Sequence, residues 1–114
     1  MQEGAIALAT LPQADGQRKN RPVVLLRQLP GYGDWLVCGV STQLHQRVPD
    51  FDELVRPGDA GFDASGLKAA SLIRLGFLAA VPARDVLGIL GYLRAERHEH
   101  LLRRLARLLP PDES

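Results

Sequence analysis

The sequence predicts an α+β fold, mainly β: a small antiparallel β-barrel or strongly bent sheet with one C-terminal amphipathic helix packed on it. Three observations predict it. Short apolar runs punctuated by Gly, Pro and Asp recur as far as residue 93. The tail then changes period, with Leu101, Leu102, Leu105, Leu108 and Leu109 spaced by three and four residues. A chain of 114 residues, 46% apolar and 24% charged, is sized for one domain with a real core, taken as residues 1–114.

Taken in order, residues 5–11 alternate loosely between Ile6, Leu8 and small side chains, as a half-buried strand does, and Pro12 ends them. Residues 13–20 are polar and contain the turn signal Asp15-Gly16, so they predict an exposed loop. Pro22-Val23-Val24-Leu25-Leu26 is β-branched, with proline at the first position, where its missing N–H disturbs a ladder least; it predicts a buried strand. A turn at residues 30–34 joins it to WLVCGV, residues 35–40, as a hairpin. Gly31-x-Gly33 lacks the third glycine and the following helix of a dinucleotide fingerprint.

Residues 41–49 are polar, and a weak alternation follows through Phe51, Leu54 and Val55. Residues 58–66 are rich in Gly, Asp and Ser without acidic ligands at calcium-loop spacing, and predict a plain loop. Strand-like runs return at residues 69–81, around Arg74, and at residues 86–93. In the tail helix, Arg97, Arg103, Arg104 and Arg107 take the face opposite the leucines with Glu96 and Glu99 among them, which reads as a solvated face; Pro110-Pro111 stops it.

Several function classes are thereby disfavoured. A net charge of +1 supplies no molecule-wide field for nucleic acid, so any such site is local. No apolar run approaches the ~20 residues of a membrane span. Near the N-terminus stands Glu3, where a secretory signal would carry cations, and the expected location is the cytoplasm. Cys38 is the single cysteine; its apolar setting predicts a buried structural thiol, and it has no partner for a disulfide or zinc site. His98 and His100 lie two apart on a helix and do not share a face. No metal and no cofactor is expected.

The residues left to carry chemistry are arginines and hydroxyls. Arg21 precedes Pro22, whose ring forces an extended backbone on it. With Arg18, Lys19 and Asn20 beside it, it can aim a guanidinium fork at a phosphate, or pair as a strand-edge arginine with an acid such as Asp15. Ser41-Thr42-Gln43 ends the strand of residues 35–40, where hydroxyls bond a phosphate or tie down a turn. Arg74, inside an apolar strand, needs an acid, the solvent or the same cleft as Arg21. His45, beside Arg47, is either an acid–base group or a passive loop residue.

In order, these pieces resemble the MazF/PemK family of toxin–antitoxin ribonucleases. The resemblance rests on Gly4-Ala5-Ile6, DGQRKNRPVVLL, VSTQ, the Leu-Lys-x-x-Ser-x-x-Arg-Leu run within GLKAASLIRL, and ILGYL before the final helix. It implies an SH3-like barrel that forms a homodimer, cleaves single-stranded RNA at specific sequences without metal, and is restrained by an antitoxin protein. By the same resemblance Arg21 and Ser41 carry catalysis; the residues expected to bind the RNA are Arg18, Lys19, Asn20, Thr42, Gln43, His45, Arg47 and Arg74. Three positions depart from the family pattern: Ser41 stands for a usual threonine, Gly76 for an acid common two residues after the strand arginine, and Ala5 for an acid. The alternatives are a non-catalytic gyrase poison, as the related CcdB toxins are, and a degenerate module that binds only its antitoxin.

Overall fold

Val23, Val24, Leu25 and Leu26 are all fully buried, although successive side chains of a strand point to opposite faces. The sheet that holds them is therefore covered on both sides. The computed structural model describes residues 1–111. Its strands are β1 (Ala5–Pro12), β2 (Arg18–Gln28), β3 (Trp35–Ser41), β4 (Glu53–Val55), β5 (Ser71–Val81) and β6 (Val86–Tyr92), followed by the helix α1 (Ala95–Leu108). They form one antiparallel sheet in the order β4-β5-β3-β2-β1-β6, curled into a half-barrel. The mainly-β α+β class is as the sequence predicts, with β4 and β6 left as edges that do not pair with each other.

Alternation sorts the core into two layers. Val24, Leu26, Cys38, Val40 and Ile73 face one way and meet Leu101 and Leu105 of α1, the apolar stripe of the tail. Each such leucine is worth about 1.5–3 kcal/mol when withdrawn from water. Val23, Leu25, Trp35 and Val37 face the other way, over Ala5, Ala7, Ala9 and Leu11 of β1. Cys38 is buried in the first layer; burial pushes its thiol up to about 12, a hydrogen bond involving the Val24 backbone pulls it back, and the charge of Asp52 adds to the rise. It stays protonated and inert.

The edge strand β6 is shielded by a 3-10 turn at Asp63–Ser65 rather than by another strand. Gly66, at φ 74°, and Gly91 make this possible: a Cβ on either would strike the backbone of the other segment, at Leu90 or at Ser65. Among the described residues no helix is long and apolar enough to cross a membrane.

Two expectations are corrected. Residues 18–20 are not loop: β2 starts at Arg18, because Pro12, Leu11 and Thr10 of β1 pair with Arg18, Lys19 and Asn20. Pro22 is consequently the fifth residue of its strand. It is tolerated because the ladder to β3 begins only at Val23, so Pro22 has a neighbour on one side alone. The arginine face of α1 is also less solvated than expected. Arg97 donates to the Leu54 carbonyl (3.3 Å) and Arg104 to that of Phe51 (2.7 Å), tying the helix to the β4 region.

Candidate active site: a cationic cleft where β2 and β3 part

The pairing Leu25–Val37, Val24–Cys38, Val23–Gly39 sets the register of β2 on β3. Two residues further on, that register brings Arg21 opposite Ser41. The ladder has already ended there, so the strands separate and a cleft of about 620 Å³ opens between them. Gly39 contributes no side chain to its floor, and directly across from Gly39 on β5 stands Arg74. Arg21, Ser41 and Arg74, far apart in the chain, thus line one cleft because three neighbouring strands present them at one end of the sheet.

How the two arginines are held matters for what they can do. Arg21 is exposed, and its Nη2 donates to Oε1 of Gln13 at 3.2 Å. The Gln13 amide is itself fixed, its Nε2 reaching the carbonyls of Leu11 (3.4 Å) and Pro12 (3.3 Å). Arg74 Nη1 donates to Oε1 of Gln46 at 3.1 Å, while its Nε is buried without a hydrogen-bond partner. Among the described residues, neither arginine meets a carboxylate. Asp15, the acid nearest Arg21 in sequence, instead accepts from the Gln17 backbone N–H (3.0 Å) and shapes the turn.

Ser41 Oγ accepts from the backbone N–H of Gln43 at 3.0 Å, the turn-tying role of a strand-end hydroxyl. A hydroxyl that accepts still has its proton to donate. Lys68 and Ser71 complete the polar wall, and among the described residues no carboxylate or imidazole lines the cleft. Three cations, hydroxyls and amides make an anion site for a phosphate rather than a metal cage. Among the described residues no three His, Cys, Asp or Glu side chains gather to hold a metal ion.

Residues 2–109 match the family described as PemK-like, MazF-like toxin of type II toxin-antitoxin system. The chain belongs to this family. No curated protein matches it.

Of the residues singled out in the toxin sequence, Arg21, Ser41, Thr42, Gln43 and Arg74 line the cleft. The dense cationic stretch before Pro22 is divided by strand alternation. Lys19 falls on the face of Arg21, at the outer end of the strand, while Arg18 and Asn20 fall on the other face. There Arg18 pairs with Asp85 (2.8 Å) and Asn20 accepts from Thr10 Oγ1 (2.9 Å). His45 and Arg47 are exposed and do not line the cleft. Sequence reasoning missed Gln13, Gln46, Lys68 and Phe77. Lys68 alone had a signal, as the lysine of the Leu-Lys-x-x-Ser run; the others owe their place to contacts across the fold. Gly76 does not line the cleft, and a Cβ there would meet only Phe51 at 3.5 Å.

Proposed function

We propose that this single domain is a cytoplasmic, metal-independent endoribonuclease, the toxin of a type II pair, that cuts single-stranded RNA at specific sequences. The observation that carries the proposal is Arg21 held by a neutral amide opposite Ser41, with Arg74 across the same cleft. In the proposed step the ribose 2′-hydroxyl gives its proton to water as its oxygen attacks the adjoining phosphorus, the bond to the 5′-oxygen breaks, that oxygen takes a proton from water, and a 2′,3′-cyclic phosphate and a 5′-hydroxyl result. The guanidinium groups of Arg21 and Arg74 take up the charge that builds on the phosphoryl oxygens. Ser41, oriented by Gln43, donates its proton toward the same oxygens. Single-stranded RNA suits the site because unstacked bases can be read one at a time. The family resemblance adds a homodimer and a cognate antitoxin that occupies the groove.

The test is incubation of the purified protein with single-stranded RNA in excess chelator. Wild type is expected to cut and leave cyclic phosphate ends, and Arg21→Ala is expected to lose about 10²–10³-fold in rate. Equal cutting by both proteins contradicts the proposal.

One observation favours a second reading: among the described residues no carboxylate or imidazole in the cleft is available to take the 2′-hydroxyl proton. A non-catalytic gyrase poison or a degenerate antitoxin-binding module needs none. Growth arrest with intact RNA selects the poison, and no arrest selects the degenerate module.

A further inference from the structure

We infer that Phe77 is the platform on which one base of the bound strand stacks, beside the phosphate held by Arg21 and Arg74. This rests on the single-stranded RNA reading and goes beyond it by assigning a base-binding residue. Among the described residues Phe77 is the one aromatic side chain that lines the cleft, and it is 41% exposed. It belongs to neither core layer.

Its position has a definite cause. Cys38 pairs with Leu78 but Gly39 pairs with Arg74, so residues 75–77 of β5 have no counterpart on β3. Such a bulge re-aims side chains, and here it lifts Phe77 out of the sheet beside Arg74. The ring then lies against Gly39: a Cβ at that glycine would sit 3.0 Å from Cδ1 and 3.3 Å from Cγ of Phe77. A bare backbone supports the ring and the cleft borders it, so little freedom remains to be lost when a flat ligand settles there. An anion site alone has no use for an exposed aromatic wall. A nucleotide does, since it carries a phosphate and a planar base together, and cations with an aromatic platform are what single-strand binding uses.

The test uses full-length protein and two uncleavable strands of the same length and charge, one 2′-O-methyl RNA of mixed sequence and one abasic. Phe77→Ala is expected to weaken binding of the base-bearing strand about 10- to 100-fold, the ~1–3 kcal/mol of one stacked base, and to leave the abasic strand unaffected. Phe77→Trp is expected to keep affinity and to have its fluorescence quenched by the base-bearing strand only, against the constant signal of buried Trp35. The inference is overturned if Phe77→Ala binds like wild type, or weakens both strands equally, or changes the molecular mass in solution, which would place Phe77 between copies. Failure of wild type to bind either strand would defeat the ribonuclease reading and this inference with it. Cutting of RNA by wild type, together with an undiminished preference of Phe77→Ala for the base-bearing strand, would defeat the inference alone.

Discussion

Arg21 and Arg97 each sit beside a groove, yet Arg21 rests on a neutral amide oxygen at 3.2 Å whereas Arg97 lies between Glu53 (3.8 Å) and Asp59 (3.7 Å). The second groove, about 530 Å³, is lined by Arg94, Arg97, Glu53, Asp59, Glu96 and His100, so its cations are matched by acids. Arg97 spends its charge inside the protein, bracing α1 against the chain around β4. In the first cleft Gln13 and Gln46 hold Arg21 and Arg74 in place without neutralising them. The difference teaches that the chemistry of the partner, more than the number of cations, separates an arginine whose charge is left free for a ligand from one that holds the fold.

The strongest way to break this comparison is to delete each arginine. Arg21→Ala is expected to lose the ribonuclease rate given above while unfolding in urea at the wild-type midpoint. Arg97→Ala is expected to do the reverse: unchanged cutting per folded molecule, and about 1–3 kcal/mol less stability, because two part-buried carboxylates lose their partner. Reversal of either pattern would mean that the two grooves have been assigned the wrong way round.

A sharper version converts one kind of arginine site into the other. Gln13→Glu and Gln46→Glu keep side-chain size but give the cleft arginines an acid to pair with. Each is expected to lower RNA cleavage roughly fivefold, through ~1 kcal/mol of new charge pairing at a solvent-facing site, with stability unchanged or slightly raised. A rate equal to wild type in both would show that the neutral amides have no bearing on function.

Salt gives a smaller effect. With Arg21, Lys68 and Arg74 meeting phosphates, the plot of log affinity against log salt is expected to have a slope of about −2, which Arg74→Ala reduces by about 0.7. An Arg97→Ala slope different from wild type would contradict the division of roles.

An effect on stability alone comes from the core shared by both regions. The thiol of Cys38 is pushed up to about 12 from its ordinary 9.0. The folded protein therefore keeps that proton over a range in which the unfolded chain releases it, and stability falls as pH rises above 9.0. At pH 10 the loss attributable to this group is on the order of 1 kcal/mol, and Cys38→Val is expected not to show it. Parallel curves for the two proteins in urea titrations from pH 7 to 10 would contradict the buried-thiol account.

Much of the fold was legible because its signals are local. VVLL reads as a strand buried on both faces, and the leucine period of the tail reads as a helix. Arg21 and Ser41 were visible as well, one marked by Pro22 and the other by a strand end. What escaped depends on neighbours in space. Arg18, Lys19 and Asn20 look like loop until β1 pairs with them, and only then does alternation send Arg18 to Asp85 and Lys19 to the side of Arg21. The bulge at residues 75–77 exists only in the mismatch between β5 and β3, so nothing local distinguishes Phe77 from a core residue. Arg97 and Arg104 follow the helical period of a solvated face, but the segment around β4 folds up against them.

The central claim, that a guanidinium and a hydroxyl act on one phosphate, is tested most directly by a double-mutant cycle of Arg21→Ala and Ser41→Ala on kcat/KM for RNA. Groups that act together are expected to give a double mutant little worse than the worse single mutant. Losses that multiply in full would mean that the two residues work independently, and would contradict the account.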